Sequence, residues 1–380
     1  METHFIPGQN YDCVRCAKGC REQWRIHADP RTETRIAESE LAARRIAETG
    51  VAEVFSNDPE NGSRVLTRHN GACIFLQEDN RCGVHSQLGV TAKPQTCRMF
   101  PFLTVNTPDG LYVGISYYCT AAKRNLGRPM SAHVWSVKEL APLQRMYTAG
   151  FEKQPLCTGS NAVMEWPVYR RLEELVREDG TARAVWALAE LSAGEGTVTR
   201  ALLEEVWRNA QPEKLVSDAF LLQHTQFTIA ATLCTLEVKE ADARKEAIES
   251  FLSGKEVHLT HIGWSGTADS LESLAATIPE TANADLARYE AALIFRKFLA
   301  LHRPLLDNAV ILHLMPRLFQ LYAAISAAKR EATAVEQQDV EYAIDRTELF
   351  LTHLTNEALD RLLGEYAGGY ARQIEAMKEE

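Results

Sequence analysis

The chain has no long basic run. Arg44-Arg45 and Arg170-Arg171 are short pairs with acidic neighbours, and 41 basic residues stand against 51 acidic ones, a net charge of -10. An acidic surface repels phosphate backbones, so nucleic acid is not an expected partner. The sequence does not open with a basic stretch and an apolar run, so no secretory leader is expected. The most apolar later stretch, Ala219 to Val238, is interrupted by Gln223, His224 and Gln226, which breaks the pattern of a membrane span. The expectation is a cytoplasmic protein with no membrane partner.

No Gly-x-Gly-x-x-Gly follows a strand, which excludes the common doubly wound cofactor domain; Gly194-Glu195-Gly196 lies between helical segments and reads as a turn. Internal repeats and low-complexity tracts are absent. No Ser–His–Asp set or paired-carboxylate motif is identifiable, so catalytic and cofactor-binding residues stay unassigned. The composition, 46% hydrophobic and 24% charged, is that of a globular chain and excludes disorder.

Cysteine is scarce over most of the length and dense at one end. Cys13, Cys16, Cys20, Cys73, Cys82, Cys97 and Cys119 fall in the first third, and only Cys157 and Cys234 lie beyond. In a reducing compartment, clustered thiols indicate metal ligation or redox chemistry more than a disulfide framework. Packing alone, with cysteine as a small apolar residue, does not account for so uneven a distribution.

The pattern along the chain predicts an α+β protein: a small cysteine-rich, metal-binding head with short strands (residues 1–130), then a mainly helical domain (131–380). Thr32 to Glu48 reads as one helix ended by Gly50. Arg64–Thr67 and Cys73–Leu76 are strand candidates. Phe102–Val105 and Leu111–Tyr117 form a hairpin around the turn-forming Asn106–Gly110, which brings Cys97 and Cys119 to one open end.

In the second part, Ala287, Ala291, Ile294, Phe298 and Leu301 share a helical face, with Asn283 as cap and Pro304 as stop. Val340, Ile344, Thr347, Leu351, Leu354, Ala358 and Leu362 form a second stripe, ended by Gly364. Trp166-Pro167 opens another helix, and Pro316 is expected to kink or divide the Leu305–Ala328 segment.

Cys13-x2-Cys16-x3-Cys20 places three thiols on one short loop, able to turn several sulfurs toward one ion or cluster. Soft thiolates suit Zn²⁺ and iron–sulfur iron alike, so both remain open. With Cys73, Cys82, Cys97 and Cys119 the set is one short of two four-thiolate sites. Either His85, three residues after Cys82, completes it or some of the cysteines are structural. Arg98 either donates toward the sulfurs or lies over Phe100 and Phe102.

These motifs, with Cys73-x-x-Leu76, Arg81-Cys82-x-x-His85 and Lys93-Pro94-x-x-Cys97-Arg98-x-Phe100-Pro101-Phe102, resemble the bacterial CxxCxxCC-type cysteine-cluster family of zinc- or iron-chelating proteins. That family often ends its first motif with two adjacent cysteines. Here Gly19 and Arg21 flank a single Cys20. Within it the chain looks most similar to flagellin lysine-N-methylases, through Cys20-x3-Trp24-x-Ile26, Gln87-Leu88-Gly89, Tyr118-Cys119-x-Ala121-Ala122 and a long helical part containing Asp345-Arg346.

The resemblance implies an iron–sulfur (4Fe–4S) or zinc centre, and methyl transfer from S-adenosylmethionine to lysines of a protein substrate such as flagellin. The radical-enzyme motif, Cys-x3-Cys-x2-Cys, has the opposite order to the one here. The alternative is a non-catalytic chelating or electron-transfer protein whose helical domain holds a partner protein.

Overall fold

The computed structural model describes residues 2–22, 24–58, 61–134, 137, 153–216, 250, 253–259, 264–301, 303–349, 351, 367–372 and 374–377. It is an α+β structure whose chain divides into two compact units. One comprises Thr3–Thr104 and Tyr112–Tyr147; the other comprises Met1–Glu2, Val105–Leu111 and Thr148–Glu380.

The first unit is built from very short elements. β1 (Thr3–Phe5) and β2 (Asn10–Tyr11) lead into the first cysteine loop, which ends in the single turn α1 (Lys18–Arg21). The expected helix over Thr32–Glu48 is two helices, α2 (Pro30–Ala37) and α3 (Glu40–Thr49). Asp29 caps the first, accepting from the amides of Arg31 and Thr32 ahead of Pro30. Ser39 makes the break: its hydroxyl donates to the Ile36 carbonyl and accepts from the Ala42 amide, closing one helix and capping the next. Gly50 ends α3 in the left-handed conformation, as its sequence position predicts.

β3 (Phe55–Asn57) pairs antiparallel with β4 (Arg64–Leu66), and β5 (Arg68–His69) with β6 (Ala72–Cys73). The strand expected over Cys73–Leu76 therefore stops at Cys73, and Ile74 and Phe75 turn inward instead. They are buried in a core with Ile36, Leu41, Val54, Phe55 and Val84, against which Cys73 and Cys82 pack. After α4 (Gln95–Met99), the predicted hairpin forms as β7 (Phe102–Thr107) and β8 (Gly110–Ile115), in a sheet ordered β1-β8-β7. α5 (Thr120–Lys123) and β9 (Arg128–Pro129) follow, and β9 pairs back onto β2.

The second unit is mainly helical. Trp166–Asp179 is a helix with proline in its first turn, as Trp166-Pro167 predicts. Thr281–Phe295 is also a helix, but Asn283 lies inside it and Ala287 and Ala291 are exposed. Its buried residues are Ala282, Tyr289, Ala292, Leu293 and Ile294. Lys297, in the left-handed conformation, breaks the run before Phe298–Ala300, so the expected stripe does not belong to one helix. Val340, Ile344, Thr347 and Leu351 of the second stripe are buried; its remaining positions, like Cys234 and Ala219–Val238, lie outside the described residues.

Leu305–Lys329 is one unbroken helix with Pro316 inside it. Proline removes the hydrogen bond to the carbonyl one turn back, but most of this helix is buried against its neighbours, and the expected division does not occur. Among the described residues it is the one helix long and apolar enough to cross a membrane by length and composition, and 67% of that window is buried inside the fold.

Candidate metal centre

All seven candidate cysteines belong to the first unit, and every described cysteine is a free thiol. The short elements sort them. The β5–β6 hairpin turns at Asn70-Gly71, both with positive φ, and delivers Cys73 at its end. The chain then loops back: Leu76 bridges Cys82, and the Gly83 amide donates to the Phe75 carbonyl at 2.8 Å. Cys82 thereby returns beside the Cys73 segment.

α1 packs against β6 and so brings Cys20 to the same place. Arg68 fastens that contact, its guanidinium donating to the backbone carbonyls of Arg21, Glu22 and Gly71. On its other flank α1 lies against Phe100, one turn after Cys97. A Cβ at Gly19 would stand 3.4 Å from Trp24 Cζ3 and 3.6 Å from Phe100 Cε1. A second cysteine at that position would therefore face aromatic rings.

Cys13, Cys16 and Cys119 are placed by different contacts. β2, which leads into Cys13, is held to α5, whose cap is Cys119. Gln9 Nε2 donates to the Ala122 carbonyl at 3.0 Å, and the Asp12 amide to the Leu126 carbonyl at 3.0 Å. Gly127 permits this approach. A Cβ there would fall 2.3 Å from the Asp12 nitrogen, and φ is +102°. Asp12 also grips Arg128 at 2.8 Å. At the mouth of the β7–β8 hairpin, Trp24 packs between Phe100 and Tyr118, with ring centroids 5.3 and 5.2 Å away. These aromatics lie next to Cys97 and Cys119 respectively.

Electrostatics follow the same division except at Cys20, which feels sulfurs of both groups. Burial pushes the Cys97 thiol far up; the sulfurs of Cys73, Cys82 and Cys20 add to the rise and the Lys93 ammonium opposes it. Cys73 is pushed up to about 12, chiefly by burial, with Cys20 and Cys82 adding and the Phe75 amide and Arg68 opposing. Burial also raises Cys20, with Cys82, then Cys16 and Cys13, adding and Lys93 opposing. Cys119 rises to about 11 by burial, against the amides of Ala122 and Ala121, and the sulfurs that act on it are Cys16 and Cys13. Tyr11, raised mainly by burial, is affected by Cys119, Cys13 and Cys16.

Among the described residues no three His, Cys, Asp or Glu side chains stand ready-arranged around an ion. The donor chemistry nonetheless suits one: free soft sulfurs, several enclosed, with the Lys93 cation beside them to offset thiolate charge. Raised thiols must lose their protons on binding, which couples metal uptake to pH. His85 lies exposed on the short turn Val84–Leu88, beside Lys93. Arg68 and Tyr11 carried no sequence signal, since neither belongs to a cysteine motif. Cys157 is buried and belongs to the second unit.

Residues 12–120 match the model of the CxxCxxCC family, described as a "putative zinc- or iron-chelating domain". Over 101 residues, 26% of this chain, the sequence is 31% identical to the flagellar biosynthetic protein FliU of Salmonella muenchen and covers 60% of that protein. Over a stretch of the same length it is 32% identical to a lysine-N-methylase of Salmonella choleraesuis (strain SC-B67), and 31% identical to that of Salmonella typhimurium, covering 25% of each. The chain thus spans less than two thirds of the curated relatives it matches. No solved structure matches it.

Proposed function

We propose that this chain is a cysteine-ligated metalloprotein whose first unit holds an iron–sulfur cluster, of the 4Fe–4S type, and that it takes part in methylating lysines of a protein substrate such as flagellin. The observation that carries the metal reading is the convergence of seven free thiols from well-separated segments into one compact unit of very short strands. Cys73 and Cys82 flank the apolar core of that unit, so a metal bound there would add folding energy to it. The lysine reading is supported by the names of the relatives that share this segment. In that reaction a methyl group passes from the sulfonium of S-adenosylmethionine to a deprotonated lysine amine. The N–C bond forms as the S–C bond breaks, and S-adenosylhomocysteine leaves.

Anaerobic purification followed by iron, sulfide and zinc analysis tests the metal. Iron and acid-labile sulfide in equal amounts, with broad visible absorption, support the cluster and justify assaying labelled methyl transfer to flagellin. Zinc without sulfide replaces the cluster with a structural staple and directs the search to binding partners.

A further inference from the structure

We infer that the seven cysteines form two separate metal centres of different character: a closed four-thiolate site made by Cys20, Cys73, Cys82 and Cys97, and an open three-thiolate site made by Cys13, Cys16 and Cys119. This rests on the metal reading above and divides it.

The division is built by the backbone. Cys20 reaches Cys73 through the packing of α1 on β6, Cys82 returns to Cys73 through the Leu76–Cys82 bridge, and α1 rests against Phe100 on the Cys97 side. Cys13 and Cys16 leave β2, which is clamped to the segment carrying Cys119. Cys20 is thereby brought to sulfurs far along the chain, with Cys82 acting on it more strongly than its sequence neighbours Cys16 and Cys13. Cys73 and Cys97 feel Cys20 and Cys82, and Cys119 feels Cys16 and Cys13, while Cys20 stands between the two groups and feels Cys16 and Cys13 as well as Cys82.

The two sites differ in what they can do. The quartet packs against the apolar core through Cys73 and Cys82. Four thiolates fill a tetrahedral ion or the corners of a cluster, which is the pattern of a structural site. In the trio, Cys13 and Cys16 are exposed, and only three sulfurs are present. Of the nearby donors, Asp12 is held by Arg128, and His133 turns Nε2, at 2.7 Å, to the Tyr11 carbonyl. One coordination place thus opens to solvent, the pattern of a reactive centre. Three thiolate charges already exceed those of a divalent ion, so that place favours a neutral donor such as imidazole, a thioether or water.

The test is cobalt(II) titration of the full-length, metal-stripped, reduced protein, followed by its charge-transfer and d–d absorption. Two equivalents are expected, with added imidazole altering the spectrum of one only. Cys13→Ser with Cys16→Ser, both exposed and so tolerated by the fold, is expected to bind one equivalent that is blind to imidazole. A single equivalent in the parent chain, or loss of all cobalt in the double variant, overturns the two-centre assignment while leaving a metalloprotein. No cobalt binding by a folded parent chain overturns the metal reading and this division with it.

Discussion

Lys297 Nζ lies 2.7 Å from Glu173 Oε2, and both side chains are only 1% exposed. The carboxylate also accepts from the Tyr169 hydroxyl at 2.6 Å, and the ammonium stands 5.6 Å from the centroid of the Trp166 ring. The helical unit thus contains a fully enclosed ion pair. Lys297→Met should cost ~3–5 kcal/mol because it leaves the buried carboxylate only the half-exposed Arg177, 3.8 Å away, as a cation, whereas Lys297→Met with Glu173→Leu should recover most of that loss. Denaturant unfolding of the two variants measures this. Equal destabilisation by both would show that the pair's charges are not what matters there.

The metal-free chain should be alkylated in a fixed order. Cys13 and Cys16 are exposed, while burial holds Cys73 at about 12 and Cys97 higher still, which leaves almost no thiolate near neutral pH. Iodoacetamide at pH 7.5, followed by peptide mass spectrometry, should label the first two well before the other two. Bound metal should slow all four.

Arg68, paired with Cys73 across the β5–β6 hairpin, joins that hairpin to α1. Arg68→Ala is expected to lower metal affinity by about 10–100-fold, the usual penalty for losing a group that orients ligands. Competition against a chromophoric chelator reads the change. Unchanged affinity would mean that α1 is positioned by its aromatic flank alone.

Asp12 provides the pH dependence of the loop clamp. Hydrogen bonding to Arg128 lowers its carboxyl from 3.8 to about 2. A depressed folded-state value means that its stabilisation is present above about pH 4 and is lost as pH falls toward 2. Carboxyl NMR titration should show that value in the parent chain and a return toward 3.8 in Arg128→Ala.

Local signals in the sequence carried well into the structure. The cysteine density marked the head, the turn residues marked the β7–β8 hairpin, and Trp166-Pro167 marked a helix start. What failed depended on contacts distant in sequence. Ala287 and Ala291 are small enough to sit on either face of a helix, so their spacing misplaced the buried side. Ser39 splits a helix by hydrogen bonds that a run of good helix formers conceals. Pro316 survives because neighbouring elements enclose its helix. Lys297, Glu173, Arg296 and Glu348 are all buried, against the usual exposure of charged side chains, and no motif singles them out. The approach of Cys20 to Cys73 follows from the α1–β6 contact, which no spacing rule encodes.

The helix Leu305–Lys329 packs on Thr181–Ser192, on Ala268–Ala275 and on Gln337–Glu348. A rod sheathed this way cannot be added last to a finished body. During synthesis, Thr181–Ser192 leaves the ribosome long before its main neighbour exists, with its apolar side uncovered. The helical unit must then close late and in one cooperative step, and chaperone dependence should concentrate in that interval.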